Sequence, residues 1–255
     1  MIKIEGLNRA LTHLTFNKGA EADLTFVYKV SELKEMITSF EKSELESKGK
    51  VTLPNGTAVV LINLSKDSFH GDIPDSQFKK IASLSGAAWG AFKDKKSINI
   101  NFGSLKLEDM KAALVGIGLS DYRFRDAYDK KPKLIKLNIS HKKITPAQLK
   151  KVAAEASAHA LGQNTARHLV NLPPGDLNPK TYTDFVKKIF KGHKKIKVDV
   201  WNESKLKKEK MGLHVAVGQG AVETSKLVII KYRGASSKKV TALVGKGITL
   251  SLIHI

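Results

Sequence analysis

The chain has 255 residues, 42% of them hydrophobic, which is enough for one large domain or two smaller ones with a substantial buried core. It has no cysteine, which excludes disulfides, thiolate metal sites and cysteine nucleophiles, fits a reducing compartment, and leaves His, Asp, Glu and Lys for any metal. The formal net charge of +20 would draw a polyanion. However, only Arg9, Arg123, Arg125, Arg167 and Arg233 are arginine, and the lysines are interspersed along the chain, so the charge reads first as a solvated surface.

The start, Met1-Ile2-Lys3-Ile4-Glu5, lacks a basic stretch leading into an apolar one. No run approaches the roughly 18 apolar residues that span a bilayer. A cytoplasmic location without membrane insertion is expected, and the Asn-x-Ser/Thr triplets at Asn55, Asn63, Asn138 and Asn202 then read as chance matches. Short β-rich runs at 24–29, 58–63, 97–102 and 133–138 alternate with amphipathic stretches, the pattern of an α/β fold with a parallel or mixed sheet. A helix is expected after Ser31 from the stripe Leu33, Met36, Ile37, Phe40, and another after Asp75 from Phe78, Ile81, Trp89 and Phe92. Met110, Ala113, Leu114 and Ile117 repeat the spacing. Each stripe reads as core rather than as a binding face.

A lysine-rich stretch from Asp126 to Lys143 brackets the last strand of this first unit, 1–144, an α/β domain. At 145–171 a helix is expected to link it to a second unit. Thr145 serves as its N-cap, Pro146 takes the first helical position and Gln148 completes a capping box. Asn178-Pro179 opens a further helix with an apolar stripe of Tyr182, Phe185, Val186 and Ile189, ending near Gly192. A strand follows around Val198–Trp201, then a lysine-rich short helix at 203–210. The runs 227–230 and 240–244 are continuously apolar, as in a buried parallel sheet. Residues 172–255 therefore read as the beginning of a second α/β domain.

Gly218-Gln219-Gly220 lacks the third glycine of a dinucleotide fingerprint, and Gly245-Lys246-Gly247 places a glycine where a phosphate loop requires Ser or Thr, so neither reads as a cofactor-binding loop. No His-Glu-x-x-His or G-x-S-x-G pattern occurs, and no catalytic residue is assigned. Three segments nevertheless combine into one resemblance. They are Asn164-Thr165-Ala166-Arg167 through Asn171-Leu172-Pro173 to Asn178-Pro179, Met211-Gly212 through Ala216-Val217-Gly218-Gln219-Gly220, and Leu227–Gly234 with Leu243-Val244-Gly245-Lys246-Gly247-Ile248-Thr249. In order and spacing they resemble the M17 leucyl aminopeptidases.

The resemblance implies a cytosolic metallo-exopeptidase that releases N-terminal residues from peptides through a water activated by two divalent ions, zinc or manganese, in a homohexamer. It maps one metal ligand onto Lys246, which can ligate only when deprotonated. The family's next ligand, an Asp five residues on, falls at Ser251, and Leu250 stands in place of Phe. From Lys226 to Ile255 there is no Asp or Glu, although a pair of hard ions needs several carboxylates. The chain is therefore expected to be a fragment of such an enzyme, inactive alone, binding no metal pair and outside the hexamer, with the ending after Thr249 a frameshift or junction. The alternative is a non-catalytic basic module that contacts nucleic acid or an acidic partner.

Overall fold

The computed structural model describes residues 13–16, 20–29, 31–33, 37–62, 77–92, 95–124, 135–234 and 239–249. The chain divides into two compact units, one of residues 4–168 and one of residues 169–255 together with 1–3.

The first unit carries the mixed α/β architecture expected from the sequence. In chain order its elements are β1 (His13–Phe16), β2 (Ala22–Val27), α1 (Ser39–Lys48), β3 (Lys50–Thr52), β4 (Ala58–Leu61), α2 (Gln77–Trp89), β5 (Ser97–Asn101), α3 (Leu107–Ser120), β6 (Lys136–Ser140) and α4 (Pro146–Asn171). A short 3-10 turn, Gly90–Phe92, extends α2. The six strands lie in the order β1-β6-β5-β2-β4-β3, all parallel except β3, which runs antiparallel to β4.

Alternation along the strands decides what covers each face. Leu24, Phe26, Ala58, Val60, Ile98, Ile100, Leu137 and Ile139 point to one side, where α2, α3 and α4 contribute Ile81, Trp89, Met110, Ala113, Leu149 and Ala153. Their neighbours Val27, Val59 and Leu61 point to the other side and meet Leu45 of α1. Beyond the reach of α1 that second face turns polar. Asn138 donates to Asn99 at 2.8 Å and Asn99 to Asp23 at 2.8 Å, a ladder across three paired strands.

Helix α3 is buried on nearly every side from Met110 through Gly118, which fits a run of Met, Ala, Leu, Val, Ile and Gly interrupted only by Lys111, which pairs with Glu155. It lies so close to α2 that a Cβ on Gly116 would overlap the backbone of Ala82, and one on Gly86 would come within 3.0 Å of the Gly116 carbonyl. Two glycines thus bring two helix backbones into contact.

Residues 34–36, and so Met36, lie outside the described residues, and α1 begins only at Ser39. Thr38 caps it, with the Thr38 side chain accepting from the Glu41 N–H and the Glu41 carboxylate accepting from the Thr38 N–H, a capping box that overrides the apolar periodicity. Phe40 is consequently 76% exposed rather than core. The helix ends at Gly49, whose φ of 72° closes the C-terminus in the left-handed conformation that glycine adopts freely.

The second unit contains α5 (Pro179–Ile189), β7 (Ile196–Trp201), α6 (Glu203–Lys208), α7 (Gly212–Val217) and β8 (Leu227–Tyr232). Asn178 caps α5 by accepting from the Lys180 and Thr181 N–H groups, while the Thr181 hydroxyl accepts from the Asn178 N–H; Phe185 and Val186 are its buried face. Strand β8 does not run parallel inside a larger sheet, as its apolar run suggests, but pairs antiparallel with β7 in a half-buried ribbon. The expected strand at 240–244 is likewise absent: the segment makes no ladder among the described residues, and Val240, Leu243 and Val244 are 90%, 95% and 97% exposed. Apolar, β-branched composition favours a strand only where a neighbouring strand offers partners.

Candidate functional site

The first motif segment forms the end of α4, and its polar residues are spent on the end of α3. The last carbonyls of a helix have no partner within it. Asn164, fully buried, donates from Nδ2 to the Gly118 carbonyl at 2.9 Å. Arg167 donates from Nη1 to the Leu119 carbonyl at 2.8 Å and to Asn164 Oδ1 at 3.0 Å, and its guanidinium lies 4.6 Å from the centre of the Tyr122 ring. The cation is thereby also placed at the negative end of the α3 dipole. The Asn-x-x-Arg spacing puts both side chains on one face of α4, which is what this double cap requires.

His168 follows in the same cluster. It is 1% exposed, its Nδ1 lies 3.4 Å from the Tyr122 hydroxyl, and the Phe124 ring packs against it at 5.4 Å between centroids. Its Nε2 is buried and has no hydrogen-bond partner among the described residues. Burial holds the imidazole below its ordinary pKa, so it stays neutral near pH 7. Beside the cluster lies an open groove of about 490 Å³, whose lining includes Phe78, Ala82, Gly86, Gly116, Leu119 and Arg167. The groove carries no acid–base pair, and Arg167 is already committed to backbone and ring.

The second motif segment forms the short helix α7 and the turn after it. Ser225 Oγ donates to the His214 carbonyl at 3.2 Å, and a Cβ on Gly218 would overlap that hydroxyl. A side chain at 218 would have to displace the Ser225 hydroxyl, so the glycine suits the packing of this turn. Helix α7, six residues from Gly212 to Val217, is not among the elements expected from the sequence.

The third segment carries Lys246, the metal ligand expected from the resemblance. It is exposed, on a stretch without strand pairing. Ser251 and Leu250, also singled out in the sequence, lie outside the described residues. Among the described residues no three His, Asp or Glu side chains approach one another as a metal site would require. With no carboxylate from Lys226 to Ile255, the donors present do not fit a pair of divalent ions, and no reaction step can be built on them. The structural contacts of Asn164, Arg167 and Tyr122 were not legible beforehand; the only local signal was an aromatic residue just past the end of α3.

Residues 164–251 match the catalytic-domain model of the cytosol aminopeptidase family, Peptidase M17. Over 200 residues, 75% of this chain, the sequence is 33% identical to a probable cytosol aminopeptidase of Pseudomonas syringae pv. tomato, and over 203 residues it is 32% identical to one of Azotobacter vinelandii. The chain belongs to the M17 cytosol aminopeptidase family. It spans about 40% of the length of these relatives. In fold it is similar to a lysine-to-glutamate mutant of tomato leucine aminopeptidase, with a TM-score of 0.69 at 20% identity over 95% of this chain and 55% of that one. The bottromycin maturation enzyme BotP, also solved in complex with Mn, is similar at a TM-score of 0.61 and 19% identity, covering 86% of this chain and 47% of that one. Among the described residues no helix is long and apolar enough to cross a membrane.

Proposed function

We propose that this chain carries the N-terminal domain (1–144), the linker helix (145–171) and the opening of the catalytic domain (172–255) of a leucyl aminopeptidase that acts on peptides in the cytoplasm. The observation that carries the reading is similarity to cytosol aminopeptidases along three quarters of the chain, running on into the catalytic-domain match at 164–251. In this proposal Lys246 is one ligand of a two-ion centre, zinc or manganese, and the carboxylates that complete it are not supplied by residues 226–255. The contribution of this chain is the Lys246 amine, which follows the Leu243–Gly245 segment.

Two measurements test this. The polypeptide of residues 1–255, supplied with manganese or zinc, should show no hydrolysis of leucine p-nitroanilide; turnover that a chelator abolishes would refute the assignment of the carboxylates elsewhere. In a chimera, residues 164–249 replace their counterparts in the Pseudomonas syringae enzyme. It should release leucine in a metal-dependent reaction, and Lys246→Met should abolish that release without unfolding the chimera. A chimera that folds and remains inactive, or one indifferent to Lys246→Met, would defeat the reading.

A further inference from the structure

The groove beside the α3 cap lies wholly within the first unit, where residues of α2, α3 and α4 line it. It has room for a ligand because Gly86 and Gly116 bring no side chains to it, and Phe78, Ala82, Val115 and Leu119 make most of its surface apolar. No carboxylate lines it, and its two charged residues, Lys79 and Arg167, are both cations. Arg167 supplies more than charge. A guanidinium carries five N–H groups in one plane. Both bonds that cap α3 run from Nη1, to the Leu119 carbonyl and to Asn164 Oδ1, so the commitment of Arg167 covers that nitrogen alone. The Nε and Nη2 groups form the remaining edge, a pair of N–H donors that matches the two oxygens of a carboxylate. Arg167 is exposed and has no ion-pair partner among the described residues.

The capping bonds and the Tyr122 ring, 4.6 Å from the guanidinium, already hold this side chain in place, so a ligand need not order it on binding. Gln163, one turn earlier on α4, also lines the groove, and its amide makes no hydrogen bond among the described residues. These features select the occupant. An apolar body alone would leave the fork of Arg167 unused, and a highly charged anion would gain nothing from Phe78, Val115 and Leu119. An ammonium group would meet two cations and no acid. The volume, about 490 Å³, falls in the range of small-molecule sites. From this geometry we infer that the groove binds a small monocarboxylate with an apolar body, its carboxylate on the Nε–Nη2 edge of Arg167 and its hydrocarbon along Phe78, Ala82, Val115 and Leu119.

The test uses the full 255-residue chain and sodium octanoate, followed by titration calorimetry and by amide proton–nitrogen correlation spectra. Octanoate should bind saturably with a dissociation constant on the order of 1 mM, as its few heavy atoms allow. The amide shifts should centre on Ala82, Ser83, Gly86, Leu119, Ser120 and Gln163. 1-Octanol, which keeps the hydrocarbon and lacks the charge, should bind about tenfold more weakly. Arg167→Lys keeps a cation near the end of α3 and removes the fork, and should weaken octanoate about tenfold. Because Arg167 also caps α3, a second variant carries the test if that one loses its fold. Ser83 is exposed, lines the groove and takes no part in the cap, so Ser83→Phe should fill the groove and weaken octanoate about tenfold at an unchanged melting temperature. No saturation by about 10 mM octanoate, or octanol binding as tightly as octanoate, would overturn the inference. Tighter binding of octyl phosphate than of octanoate would overturn the carboxylate assignment. Shifts spread over both units, or a Ser83→Phe variant that binds like the wild type, would place the anion on the general surface charge and overturn the site.

Discussion

The close contact between α2 and α3 makes the sign of two glycine substitutions opposite. Gly116 and Gly162 are both helical, and in an unpacked helix Ala in place of Gly is worth about 1 kcal/mol. At Gly162 an added Cβ meets nothing within 4 Å, so Gly162→Ala should stabilise the chain by up to about 1 kcal/mol. At Gly116 the same atom would overlap the carbonyl, carbonyl carbon and Cα of Ala82, backbone atoms that no rotamer change can move. The two helices must part, at an overpacking cost of about 1–3 kcal/mol, and backbone obstruction argues for the upper end. Set against the propensity gain, Gly116→Ala should lose roughly 1–2 kcal/mol, a fall in Tm of several degrees for a unit of this size. Urea unfolding followed by far-ultraviolet circular dichroism reads both. A Gly116→Ala variant as stable as Gly162→Ala would show that the helices do not approach as described.

Two pH dependences follow, one from a buried group and one from a partly buried group. Burial holds the His168 imidazole below its ordinary value of 6.5, so between the folded and unfolded values the unfolded chain binds more protons; the stability is present above pH 6.5 and is lost as pH falls through the folded value. The urea midpoint of the wild type should therefore drop more between pH 7.5 and pH 5 than that of His168→Phe, and equal drops would count against a buried neutral imidazole. Tyr28 is pushed the other way, to about 12, by burial and then by the hydrogen bond from its hydroxyl to Asp109 at 2.5 Å. Its contribution is complete below pH 10 and fades as pH rises towards 12, roughly 1–2 kcal/mol after allowance for solvent reaching the ring. An ultraviolet titration should show a late step that Tyr28→Phe removes; a titration unchanged by the substitution contradicts the assignment.

What could be read from the sequence was what is local to a few residues. Thr145-Pro146-Gln148 and Asn178-Pro179 announce helix starts because a cap is chemistry between a residue and its third neighbour, and in the structure Thr145 and Gln148 exchange the expected bonds. At α1 a periodic stripe competes with an equally local signal, Thr38 with Glu41, and the cap sets the start of the helix. Strand 240–244 could not be judged locally at all, because its fate depends on a partner.

The same distinction separates two views of the charge. Summed along the chain, lysines interspersed with other residues suggest a featureless solvated surface, and that reading is sound for helices such as α5 and α6, where Lys180 with Asp184 and Lys205 with Glu209 pair four residues apart. Lys197 and Lys231 lie 34 residues apart, and only the register of β7 on β8 reveals that they face each other. The motif around Lys246 shows the reverse. Its resemblance is legible in a few letters, while the chemistry it would serve depends on carboxylates that no neighbouring residue supplies. A short motif can therefore place a chain in its family before a single catalytic contact exists, whereas a cationic surface made by strand pairing leaves no local trace and has to be found in the fold.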